Sequence, residues 1–189
     1  MKHAQIIDTL AVSALLMTAC GAQPPSAPSA APTQVLATAT PAALPPTATA
    51  RVALAPASCP VTRPPNPPFV PPSPFPPTAP PLYQGFWFGT EALWTMPRTD
   101  GIWRGLAWKV FWWRRGYDYQ SDPRPDLIVT GRRLDAPAPP FTVSGATNGN
   151  RSDIGSFMLV GVDVPTPGCW EITGQGAGAN LSFVMWVVP

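Results

Sequence analysis

Proline decides where this chain can fold. Most of its 29 prolines lie between Pro24 and Pro81, and a residue with a fixed φ and no backbone N–H is kept out of helix interiors and central strands. Residues 21–57 are mainly Ala, Pro and Thr, with Arg51 as the single charge and no aromatic side chain. Such a stretch buries too little apolar surface to offset its ordering entropy, so residues 20–57 read as a disordered Pro/Ala/Thr-rich linker. Extended as polyproline II at about 3.1 Å per residue it reaches roughly 110 Å, and as a coil nearer 35 Å. Either form is a tether, and the same composition also suits an O-glycosylated stalk. The second proline-rich part, residues 58–82, differs in carrying Phe69, Phe75 and Leu82. It reads as an extended segment packed along the folded part.

All eight Trp and all three Tyr come after Leu82. An aromatic side chain buries roughly 150–250 Å², so residues 83–189 can build a core and read as one domain. Strand signals recur there with Gly or Pro punctuation. In "GLAWKVFWWRRG", Leu106, Trp108, Val110 and Trp112 alternate with Ala107, Lys109, Phe111 and Trp113, one face apolar and the other mixed. Residues 126–134, 141–144 and 156–162 give further strands. Residues 169–173 and 181–188, joined by the glycine-rich "GQGAGAN", form a C-terminal hairpin. Trp170 and Ile172 face one way there, and Leu181, Phe183, Met185 and Val187 share one side. With no capped helical period after Leu82, the expectation is an all-β sandwich of about seven strands.

Lys2 precedes an apolar run of about eleven residues ending at Ala19, too short for the roughly 20 that span a bilayer as a helix and proportioned as a secretory leader over residues 1–19. The segment Leu16-Met17-Thr18-Ala19-Cys20 resembles the bacterial lipobox, which implies that Cys20 carries a diacylglycerol thioether as the first mature residue. The alternative is an ordinary signal peptide with an incidental cysteine. Several acyl chains, at about 0.8 kcal/mol per buried CH₂, give stable attachment, so the expected location is exported and lipid-anchored at the cell membrane or outer membrane. Cys59 and Cys169 then remain as two thiols in an exported protein and are expected to pair, two free buried thiols being the alternative.

The composition excludes several chemistries. The only histidine is His3, inside the leader, so a mature chain has no Ser-His-Asp triad, Cys-His dyad or His-ligated metal. No cofactor and no metal site is expected: "DYQSDPRPD" lacks the oxygen spacing of a calcium loop, "NGNRSD" reads as a solvated loop, and no phosphate-cradling glycine loop precedes a helix. A net charge of +2 with scattered arginines excludes a nucleic-acid footprint. Paired carboxylates remain open as an acid/base device among residues such as Glu91, Asp100, Asp153 and Glu171. The most unusual local feature is Trp112-Trp113-Arg114-Arg115-Gly116-Tyr117. In a strand the two tryptophans face opposite sides. One of them, exposed with Tyr117 and the arginines, would suit a sugar ring or an anionic partner; the alternative is that the proline-rich segment covers Trp113.

The segments "GRRLDAPAPP" (131–140), "PTPGCWEITG" (165–174) and "LSFVMWV" (181–187) resemble parts of uncharacterised bacterial lipoproteins and secreted proteins in which a Pro-Gly-x-Trp hairpin closes an immunoglobulin-like domain. The resemblance implies an immunoglobulin-like β-sandwich and an exported address, and brings no catalytic residue with it. The expectation is therefore a non-enzymatic binding or structural module of the cell envelope. Its partners would be the membrane, through the lipid, and an envelope glycan or protein. A carbohydrate-active enzyme or its accessory domain is the alternative.

Overall fold

The computed structural model of the protein describes residues 54–189. The leader, Cys20 and most of the linker lie outside the described residues. One 3-10 turn, Pro81–Tyr83, precedes ten strands: β1 (Phe88–Thr90), β2 (Leu93–Thr95), β3 (Ile102–Arg104), β4 (Ala107–Trp113), β5 (Leu127–Arg133), β6 (Phe141–Val143), β7 (Thr147–Arg151), β8 (Gly155–Asp163), β9 (Gly168–Gly176) and β10 (Ala179–Val188). They form two five-stranded sheets, ordered β1-β2-β4-β8-β7 and β3-β10-β9-β5-β6. Neighbours run antiparallel except β3, which lies parallel to β10.

Alternation along the strands explains why the sheets face each other. Leu93, Val110, Trp112, Met158, Val160 and Val162 of the first sheet meet Leu127, Val129, Trp170, Ile172, Phe183 and Met185 of the second in one buried core, each set pointing the same way because side chains alternate across a strand. The described residues are thus all-β and sandwich-like, with ten strands in place of about seven. Four of the ten have no counterpart among the six strand segments legible in the sequence, for two reasons. β1, β2 and β3 are three residues each, too short to display a period, and β7 reads Thr-Asn-Gly-Asn-Arg along an exposed edge.

The C-terminal hairpin turns at Ala177-Gly178, with φ of 48° and 77°, the positive pair that matches strand twist in a two-residue turn. β9 continues through what reads in sequence as a glycine-rich loop. Gly174 belongs to the strand because Trp112 packs on it: a β-carbon there would stand 2.5 Å from the indole. The glycine makes room for a ring and does not loosen the backbone.

The outer face of the first sheet is also buried. Trp87, Trp94, Trp113, Ile154 and Phe157 form a second apolar cluster, and Phe69, Phe75 and Ala79 of the proline-rich segment pack on it. Proline residues cannot donate to a strand ladder, but their rings cover a face and their carbonyls still accept hydrogen bonds. Phe75 meets Trp94 edge-on at 5.3 Å, and the Trp87 indole N–H donates to the Pro76 carbonyl at 3.0 Å.

Two connections hold the start of this segment to the second sheet. Cys59 and Cys169 form a disulfide, with Cα atoms 5.6 Å apart. β3 pairs with β10 only over Trp186–Val188, and Thr62 takes over where it stops. Its N–H donates to the Val184 carbonyl at 2.9 Å, while its hydroxyl accepts the Val184 N–H at 2.8 Å.

Candidate functional site

Both tryptophans at the end of β4 are 0 % exposed. Strand geometry does send them to opposite sides, and each side is an interior. Trp112 sits between the sheets. Trp113 lies beneath the proline-rich segment and donates its indole N–H to the Ile154 carbonyl at 3.0 Å. Tyr117 is buried as well, its hydroxyl donating to the Asp122 carbonyl at 3.1 Å and the Arg114 guanidinium lying 5.5 Å from its ring. The candidate exposed aromatic patch of Trp112 or Trp113 with Tyr117 is therefore corrected, and the other reading, a proline-rich segment over the Trp113 side, is the one the structure has. What a strand's second face does depends on what covers it, and here a distant segment does.

Arg114 and Arg115 reach the surface, with side chains 32 % and 65 % exposed. Arg114 is held by Asp122 at 2.9 Å and Arg115 by Glu91. They border a shallow groove against Pro72–Phe75, Asn150 and Ser156, and their charge is already neutralised.

A second concavity lies farther back along β4. β2 pairs with β4 only at Trp94↔Trp113 and Thr95↔Trp112. After Thr95 the chain turns away toward residues 84–86, where Gly85 bridges Arg98 and the Phe86 N–H donates to the Pro97 carbonyl. This leaves one edge of β4 without a neighbouring strand over residues 107–111. The parity of the strand fixes which groups face that side. Leu106 accepts the Val164 N–H at 2.8 Å on the β8 side, and Phe111 accepts the Thr95 hydroxyl at 2.7 Å on the other. Odd-numbered residues therefore turn their backbone outward. The N–H and C=O groups of Ala107 and Lys109 have no protein partner there among the described residues.

Beside this edge is a cavity of about 160 Å³, lined by Trp103, Trp108, Phe183, Val110, Met96 and Tyr83 among others. Trp103 and Trp108 stack at 5.5 Å with their planes 16° apart. The Trp108 indole is fixed by a 3.0 Å bond to the Gly105 carbonyl, with the Arg98 guanidinium 6.0 Å from its ring centre. Arg98 is held in turn by both Asp100 oxygens at 3.1 Å and by Gln84 at 2.9 Å. Sequence reasoning missed this site, because nothing local announces where β2 stops. One signal was present: a lysine in the middle of an otherwise apolar strand is a common way of guarding an open edge.

Asp100 is the electrostatic centre of this corner. Partial burial raises its pKa, but hydrogen bonds from Arg98, the Ile102 N–H and Arg104 outweigh that and hold it at about 2. A carboxylate with a depressed pKa contributes stability that is present above its unfolded value near 4 and lost as the pH falls toward 2. Asp100→Asn is therefore expected to flatten the decline in melting temperature between pH 4 and pH 2, by a small amount because the group is partly exposed. An unchanged acid limb would remove Asp100 from that role.

The other shifted carboxylates move the same way. Asp118, held by the Ser121 N–H, Asp135, held by Arg133, and Asp153, held by Arg151, are all pulled down. Such groups stay ionised at neutral pH and make poor proton donors. Among the described residues no three of His, Cys, Asp and Glu stand together. The cavity offers aromatic surface and free backbone groups, an arrangement for holding a ligand. Compared with known proteins, the chain matches no family model, no curated protein and no solved structure.

Proposed function

We propose that this protein is a lipid-anchored, non-enzymatic binding module of the bacterial cell envelope, built as an immunoglobulin-like sandwich, with its ligand site at the Trp103–Trp108 cavity. The observation that carries the reading is the aromatic cavity lying beside an unpaired strand edge. Several features support it. The strand orders β2-β4-β8-β7 and β10-β9-β5-β6 follow the A-B-E-D and G-F-C-C′ pattern of immunoglobulin-like domains. The Cys59–Cys169 bridge belongs in an oxidising compartment. Six of the nine described side-chain carboxylates are paired with arginines, which suits a scaffold better than acid/base catalysis.

The anchor is tested by Cys20→Ser. The variant is expected to move from the membrane fraction to the soluble fraction, and unchanged partitioning would reject the lipid. The soluble variant is then expected to bind isolated envelope material and to lose that binding on Trp108→Ala. Release of new reducing ends from envelope glycans would replace the binding reading with a hydrolytic one.

A further inference from the structure

We infer that the open edge of β4 receives an extended peptide strand, which sets an acidic side chain opposite Lys109 and apolar side chains into the neighbouring cavity. The inference rests on the binding reading above and names the class of its ligand. Three independent features converge on it. First, the backbone groups of Ala107 and Lys109 point away from β8 and lack protein partners among the described residues. An added strand satisfies such groups directly, and in this mode main-chain bonds supply affinity while pockets for alternate side chains supply specificity.

Second, the cavity lies where those alternate side chains must go. A residue paired with Lys109 shares the outward face of Lys109. Its two neighbours share the face of Trp108 and Val110, both of which line the cavity. Third, Lys109 forms no ion pair among the described residues, whereas Arg98, Arg104, Arg114, Arg115, Arg132, Arg133 and Arg151 all do. An unpaired ammonium at the centre of the edge favours an opposing carboxylate. It also disfavours a second copy, since β4 pairing antiparallel about Lys109 would set two like charges directly opposite. A polysaccharide has no regular row of N–H groups to offer the Lys109 carbonyl.

The probe is the capped pentapeptide Thr-Val-Glu-Val-Thr, titrated into the full-length Cys20→Ser protein. Two controls accompany it, one with Lys in place of Glu and one N-methylated at the Glu amide. Backbone amide exchange at Ala107 and Lys109 and the indole resonances of Trp103 and Trp108 are followed. The Glu peptide is expected to bind about tenfold more tightly than the Lys peptide, to slow exchange at Lys109, and to lose binding on N-methylation. Lys109→Glu, an exposed change, is expected to reverse the ranking. Equal binding of both peptides, or no reversal in Lys109→Glu, overturns the inference. So does retained binding of the N-methylated peptide, although its shift of the Trp108 signal would keep the cavity as a binding site. If envelope material shifts Trp108 while no peptide does, strand addition alone is rejected. If nothing shifts Trp103 or Trp108, the binding reading falls with it.

Discussion

The double replacement Cys59→Ala/Cys169→Ala is expected to lower stability by about 3 to 5 kcal/mol. The two cysteines are 110 residues apart in sequence, so the bridge constrains nearly the whole described chain in its unfolded state. Its loss also loosens the segment just after Cys59. Val61 packs on Gly101, Thr62 exchanges hydrogen bonds with Val184, and Arg63 reaches the Thr99 and Asp100 carbonyls at 3.5 and 3.4 Å. These contacts are individually weak and depend on being held in place. Equilibrium denaturation of the variant, and of the parent protein with and without reductant, checks the magnitude. Proteolysis of the native state should show cleavage appearing first within residues 60–80. An unchanged denaturation midpoint would show that the bridge contributes nothing.

Trp113→Ala is expected to cost about 3 to 5 kcal/mol, in the range for removing a fully buried large aromatic. The indole is 0 % exposed and lies edge-on to Trp87 at 5.1 Å, so its loss opens the cluster on which Phe69 and Phe75 rest. The neighbouring position sharpens the test. Trp113 satisfies the Ile154 carbonyl, while the Trp112 indole N–H is buried with no partner. Replacing a donor that is in use leaves an acceptor stranded; replacing one that is not removes a buried polar group that already lacks a bond. Trp113→Phe should therefore destabilise more than Trp112→Phe, although both leave a comparable void. Chemical denaturation of the two variants decides it, and the reverse order would show that packing on Gly174 outweighs the hydrogen bond.

The parts of this fold legible in the sequence are those whose information is local. β4, β8, β9 and β10 run for seven or more residues, β9 as an alternation and the other three as apolar stretches bounded by turn residues, and those patterns suffice to place them. β1, β2 and β3 owe their existence to a partner strand, and three residues carry no period. The glycine-rich stretch after Thr173 misleads because glycine there answers to a ring on the opposite sheet. The candidate site was illegible for a related reason. Trp112 and Trp113 stand out as a pair and must face opposite ways, yet Trp87 and Phe157 against Trp113, with Phe69 and Phe75 from far earlier in the chain packed over that cluster, settle the exposure of the second. The open edge at Lys109 exists because β2 meets β4 only at Trp94 and Thr95 and then turns away, a fact of pairing that no single stretch of sequence contains.

The disulfide also decides how a pull on this molecule would be shared. Tension arriving along the chain at residue 58 passes through the Cys59–Cys169 bond into β9, which lies in the interior of its sheet between β10 and β5. Phe69, Phe75 and the indoles beneath them fall outside that path, so dragging on the chain does not peel the proline-rich cover away. To dislodge β9 the force must shear two antiparallel ladders at once, and the covered face stays slack while it does so.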